Sequence, residues 1–186
     1  MKKIVLTFGL VSGVMLSAML LATLPFLDRM GLGTSQVLGY TTMLAAGMLI
    51  YFGMRRYRDT VAAGTVTFKR LFGVGMLIWA VSAACYTATW EAVFYGVPGF
   101  GEKFVASYQA RQLAAERAKG TPPAEIERKQ AEMAEQWRAY QNPAINVAIT
   151  FVESLPVGLL VSLVSAATLR RRGARPAVEV RQGYAT

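Results

Sequence analysis

Two carboxylic acids are the chemistry that this chain offers. Glu91 lies in the apolar stretch at 80–95 (AVSAACYTATWEAVFY), and Glu153 lies inside another apolar run. An ionisable side chain at membrane depth is costly, so it marks a proton or ion path, or a ligand contact, unless a structural partner satisfies it. At helical spacing, Ala80, Ala84, Thr87, Ala88 and Glu91 share one face, small and polar, which predicts an inward orientation. Asn142, Asn146, Thr150 and Glu153 share another face. Tyr40, Thr41 and Thr42 open a third apolar run and supply hydroxyls. The candidate polar, ion or ligand site is therefore Glu91, Glu153, Thr87, Thr150, Tyr40 and Asn146. It can hold a proton, bind a cation or hydrogen-bond a ligand. The plainer reading is structural, with Glu153 hydrogen-bonding neighbouring helices and Glu91 reaching an interface.

The absent residue types exclude several chemistries. The chain has no histidine, which removes Ser-His-Asp and Cys-His nucleophilic systems, His-containing zinc sites and His-ligated haem. Cys85 is the single cysteine, so it forms no intrachain disulfide and no CxxC pair; it reads as a small core residue. No cofactor and no metal centre is expected.

These acids need elements to position them. Of the 186 residues, 54% are hydrophobic, which points to a membrane protein rather than a soluble domain. Apolar runs predict four spans at about 4–24, 36–54, 69–95 and 144–169. The first follows Lys2 and Lys3, is longer than the core of a signal peptide, and lacks an A-x-A-like cleavage site, so it reads as a retained span. Gly9, Gly13 and Ser17 recur every fourth residue, as do Ser154, Gly158, Ser162 and Ala166. Such small-xxx-small rows let helix backbones approach closely. Gly39 and Gly47 read the same way, Thr34 or Ser35 as a cap for the second helix, and Thr67 as a cap for the third. Trp79, Tyr86 and Trp90 form a bulky face that suits lipid and an interfacial belt. Pro156 has no N–H for the Val152 carbonyl and predicts a kink beside Glu153.

Residues 100–142 are too polar to span a bilayer. Gly120-Thr121-Pro122-Pro123 divides them, with Gly120 past a helix end, Thr121 as cap and Pro122 as the first helical residue. Phe100, Phe104 and Tyr108 on one side, and Ile126, Met133, Trp137 and Tyr140 on the other, form apolar stripes at helical period. The expectation is a helical hairpin whose stripes pack on each other or on the membrane surface; the sharper reading is a surface for a protein partner.

Charge sets the orientation. The net charge is +9, and twelve of the twenty Lys/Arg flank the spans on the side of the two termini. The positive-inside rule then places both termini in the cytoplasm and the hairpin at 100–142 in the periplasm, with a cytoplasmic tail at 170–186. Those clusters suit anionic headgroups at the cytoplasmic face, and no nucleic-acid partner is expected.

Met1-Lys2-Lys3 with its apolar run, Tyr57-Arg58-Asp59, Thr89-Trp90-Glu91, and Glu153 with Pro156-Val157-Gly158 together resemble a bacterial membrane family catalogued only as domain of unknown function 4199. The resemblance covers nearly the whole chain. It implies four spans and carries no functional residues.

The sequence thus predicts an all-α fold: a four-helix transmembrane bundle with an extramembrane α-helical hairpin between the third and fourth spans. The expected function is non-enzymatic binding or scaffolding in the bacterial inner membrane, through the bundle, the hairpin or a homo-oligomer. The rival is an oligomeric proton- or cation-linked small transporter or channel that uses the intramembrane acids. Counting from the basic ends at about 1.5 Å per residue, Glu91 and Glu153 lie roughly 31 and 25 Å up, so a shared cluster is expected.

Overall fold

The computed structural model describes residues 1–26, 29–30, 32–62 and 64–170. Asp28 of the first loop, Ala63 of the turn at 62–64 and the tail beyond Arg170 lie outside the described residues. The described chain is helical throughout: α1 (Lys2–Thr23, followed by a 3-10 turn at Leu24–Phe26), α2 (Leu32–Thr60), α3 (Phe68–Gly96), α4 (Phe100–Ala118), α5 (Pro123–Tyr140), α6 (Pro143–Glu153) and α7 (Leu155–Leu169). Four stretches are long and apolar enough to cross a membrane: Lys2–Phe26, Gly33–Thr60, Phe68–Gly96 and Pro143–Leu169. The last combines α6 and α7.

α3 is the hub, packed by α1, α2, α4, α6 and α7. The glycine rows make this possible. A Cβ on Gly9 would stand 2.6 Å from Val81 Cβ, and one on Gly13 would stand 2.5 Å from Cys85 Cβ. The next member of the row, Ser17, accepts a 2.8 Å hydrogen bond from Thr89. On the fourth span, Ser162 and Ala166 are fully buried, and Gly158 lies under the Trp79 ring. Between bilayer-embedded helices, close backbone packing takes over the work that burial from water does in soluble cores. Gly47 meets Val161 as expected, but Gly39 has open space within 4 Å of its Cβ position. At the end of the bundle that carries the basic clusters, Met54, Tyr57, Leu71 and Ile78 are wholly buried and close the core.

Three boundaries differ from expectation, each for a local reason. α2 begins four residues earlier and runs six residues past Met54, so Thr34 and Ser35 sit in its first turn rather than capping it. Its basic extension stays helical because Arg and Tyr tolerate helix well and long basic side chains can reach out to water. The chain then turns at Gly64, with φ of +81°. In the hairpin, Pro122 is the cap and Pro123 the first helical residue. A residue preceding proline is pushed into extended backbone, and Pro122 has ψ of 146°.

The fourth span is broken rather than bent. Pro156 gives Val152 no N–H, and the Val152 carbonyl accepts from the Ser154 N–H instead. Ser154 sits between α6 and α7 with its hydroxyl donating to Phe151 O at 3.1 Å. The Trp79 indole N–H crosses from α3 to Ser154 O and Oγ, both at 3.2 Å. The break is thus braced from outside. α7 continues along α2 and α3, while α6 leans on α3 and α5.

The hairpin folds back onto the bundle. Gly120 turns the chain with φ of +78°. Glu116 of α4 holds the two arms together, accepting from Lys119 at 2.8 Å, from Thr121 at 3.2 Å and from Lys129 of α5. These lysine hydrogen bonds hold the Glu116 carboxyl down at about 2. Tyr108 meets Trp137 edge-on at 5.7 Å, so the two stripes pack on each other. They also pack on α3: Phe104 lies 5.0 Å from Trp90, and Tyr140 lies 5.6 Å from Phe94.

Candidate functional site

Where α6 diverges from α7, the bundle opens. A cleft of about 700 Å³ lies under the hairpin. Leu16, Met19 and Leu20 of α1 form one wall. Ser35, Leu38, Gly39 and Thr42 of α2 form a second, at the i, i+3, i+4, i+7 spacing of one helix face. Tyr86 and Trp90 of α3, with Ile149, Thr150 and Glu153 of α6, form the third. Phe104, Tyr108, Trp137 and Tyr140 of the hairpin roof it. Its inner end continues past Leu16, Met43 and Tyr86 into a recess of about 30 Å³ beside Ser12 and Ser82. That volume suits about one water. Ser82 donates to Ser12 at 3.0 Å, and Ser12 to Ala46 O at 3.3 Å. Beyond this recess the packed residues Met54, Tyr57 and Ile78 end the path.

Behind the aromatic wall lies a polar network. The buried Trp90 indole N–H donates to Asn146 Oδ1 and to the Tyr140 hydroxyl, both at 3.0 Å. Thr150 donates to the same Asn146 oxygen at 3.2 Å. One fully buried amide therefore ties α3 to α6, and Trp90 ties both to α5. Burial, first of all, pushes the Tyr140 hydroxyl above its ordinary pKa, while Thr150 and Trp90 pull it back. Glu153 and Glu91 both add to the rise, so Tyr140 stands within electrostatic reach of each acid.

The structure divides the residues singled out in the sequence. Glu153 and Thr150 line the cleft. Glu153 is exposed to it, and among the described residues no hydrogen bond or ion pair reaches its carboxylate. Asn146 is set behind the lining as a buried brace. Glu91 and Thr87 are one turn apart on α3, away from the cleft lining, and each has a buried oxygen with no partner among the described residues. No hydrogen bond joins Glu91 to Glu153 among the described residues. Tyr40 is 56% exposed and lies off the α2 face that lines the cleft.

The faces of α3 follow expectation only in part: Thr87 is buried and Glu91 half-buried, as an inward face requires, but two alanines of that face and the aromatic residues depart from it. Ala84 and Ala88 are exposed, while Trp90 is buried and Trp79 and Tyr86 are half-buried against the bundle. Their rings go inward because Gly158 and the divergence of α6 leave room for them, and because each indole N–H finds an acceptor there. Sequence reasoning treated Trp90 and Tyr140 as belt or stripe residues and so missed the network. The usable signal was the run of aromatics at three- or four-residue spacing on three consecutive helices, with Asn146 set to receive a donor.

No curated protein and no solved structure matches the chain in comparisons of sequence and fold. Residues 7–171 match the family described as "Protein of unknown function (DUF4199)", a span that includes both acids, the whole hairpin and the broken fourth helix, and the chain belongs to that family.

Proposed function

We propose that this is a non-enzymatic binding protein of the bacterial inner membrane that holds an apolar or amphipathic small molecule in the cleft beneath its hairpin. Both termini would face the cytoplasm, where Lys2, Lys3, Arg55, Arg56 and Arg170 lie at the anionic headgroups, and the hairpin would face the periplasm. The observation that carries the reading is the cleft itself. About 700 Å³ lies within the usual range for small-molecule pockets, and it is walled by aliphatic and aromatic side chains with a few converging polar groups.

Two features favour binding over conduction or scaffolding. The cavity ends against the packed residues at the basic end, which gives a ligand a place to stop rather than a path through. The hairpin's aromatic stripe is used on α3, so a protein partner would have to approach its charged outer face.

The test is saturable quenching of tryptophan fluorescence by 10-bromodecanol in zwitterionic nanodiscs. Trp90 and Trp137 line the cleft, and Trp79 lines its inner recess. Gly39 lies on the cleft-facing side of α2 with open space beyond it. Gly39→Phe should therefore fill the cleft and abolish the saturable component. Quenching that rises linearly with membrane content, alike in both proteins, would rule out a cleft-bound ligand.

A further inference from the structure

We infer that the ligand of this cleft is a hydrophobic organic cation, an ammonium carried on an apolar body, held by Glu153 within an aromatic wall. The inference rests on the reading of the cleft as a binding site and adds the sign of the charge that it selects.

Charge complementarity carries it. Among the described residues, Glu153 is the one carboxylic acid on the lining, and no Lys or Arg lines the cleft with it. Glu153 lines the cavity as an exposed residue, and its carboxylate takes no hydrogen bond or ion pair among the described residues. A carboxylate in low-dielectric surroundings without a partner is expensive, and a bound cation would supply that partner. The rest of the wall suits the same group. Tyr86 and Trp90 share the wall with Glu153, and Phe104, Tyr108, Trp137 and Tyr140 roof it. Aromatic faces attract quaternary and alkyl ammonium groups, and more strongly when water is excluded. Leu16, Leu20, Leu38 and Ile149 leave an apolar volume for the remainder of the molecule.

The same lining argues against the membrane's own phospholipids. A zwitterionic headgroup could bring its ammonium to Glu153, but its phosphate would find no basic side chain among the described residues of the wall. A carboxylate ligand would face Glu153 as a like charge.

Three probes of equal chain length separate the outcomes: decyltrimethylammonium, decanol and decanoate, each competing with 10-bromodecanol for the quenching site in zwitterionic nanodiscs. The expected result is that the ammonium displaces the bromoalcohol at a concentration lower than decanol by roughly tenfold or more, and that decanoate is the weakest. Glu153→Gln should raise the ammonium's half-displacement concentration to that of decanol while leaving decanol unchanged. Unchanged binding of decanol also reports that the variant is folded. Tyr86→Leu, which removes one aromatic face and keeps the carboxylate, should weaken the ammonium several-fold and spare decanol. Equal displacement by ammonium and decanol would overturn the cation inference and leave the cleft reading standing. An ammonium preference that survives Glu153→Gln would overturn the assignment to Glu153. If the bromoalcohol shows no saturable site, the cleft reading itself falls.

Discussion

The brace at the helix break can be tested with one substitution at two glycines. Gly158 lies beneath Trp79, and a Cβ there would stand 2.2 Å from Trp79 Cδ1 and 2.7 Å from Nε1. Ordinary contact needs more than 1 Å of further separation, so the indole must move. It is not free to do so: it donates to Ser154 O and Oγ and packs edge-on against Phe151 at 5.0 Å. Overpacking of this kind costs about 1–3 kcal/mol. Pulling the indole off Ser154 adds about 1 kcal/mol, and the helix preference of Ala over Gly returns about 0.5–1 kcal/mol. Gly158→Ala should therefore destabilise by about 1–3 kcal/mol. Gly39→Ala meets nothing within 4 Å and keeps only the favourable term, so it should stabilise by about 0.5–1 kcal/mol. The assay is thermal unfolding of detergent-purified protein, with roughly 2–4 °C per kcal/mol for a chain of this size. The two variants should move in opposite directions, and Trp79→Leu should restore part of the loss in the Gly158→Ala background. Equal midpoints for Gly158→Ala and the wild type would refute the described packing of α3 on α7.

Other expectations follow from the hairpin and the polar network. The Glu116 carboxyl is lowered from 4.5 to about 2, so its contribution to hairpin stability is present above about 4.5 and is lost as pH falls toward about 2. Hydrogen exchange at the end of α4, corrected for intrinsic rates, should lose protection across that window in the wild type, whereas Glu116→Gln should show no such transition; identical pH profiles would contradict the lock. Asn146→Leu removes the shared acceptor of Trp90 and Thr150 and should cost about 1–3 kcal/mol. The Trp90 N–H keeps Tyr140, so adding Tyr140→Phe should cost more than the sum of the single changes; simple additivity would show that the two acceptors do not share the donor. Reporter fusions after Arg170 should give a cytoplasmic signal and fusions at Gly120 a periplasmic one; the same side for both would contradict the proposed orientation.

Much of the architecture was legible because single residues fix it locally. Pro156 and the missing N–H placed the break, Gly120 placed the hairpin turn, and Thr67 caps α3. The rows at Gly9, Gly13 and Ser17 and at Ser154, Gly158, Ser162 and Ala166 gave close-packing faces because small residues serve that purpose in a membrane. The orientation of α3 was not legible. A helix packed on several sides has no single inward face, so the rule that small and polar residues point inward found the buried Thr87 but also picked Ala84 and Ala88, which are exposed. The depth count put Glu91 and Glu153 about one turn apart, but depth along a bundle says nothing about rotation around it. The cleft depends on three events far apart in sequence: the break at Ser154, the return of the hairpin to Trp90, and the α2 face at 35–42. Each can be anticipated alone, but their convergence comes from tertiary packing.

The central claim is that the cleft, rather than the lipid-facing surface, holds a ligand. The most direct measurement is photolabelling with a diazirine-bearing decyl alcohol in nanodiscs, with and without excess unlabelled competitor, followed by peptide mapping. Every lipid-exposed residue will take some label, Val14 on α1 and Leu160 on α7 among them, and competitor should not reduce it there. The account predicts that label on the cleft walls, at Leu16, Leu38 and Ile149, falls sharply with competitor, and that Gly39→Phe removes this competable fraction. Label that is spread over the lipid faces and insensitive to competitor at Leu16, Leu38 and Ile149 would contradict the account.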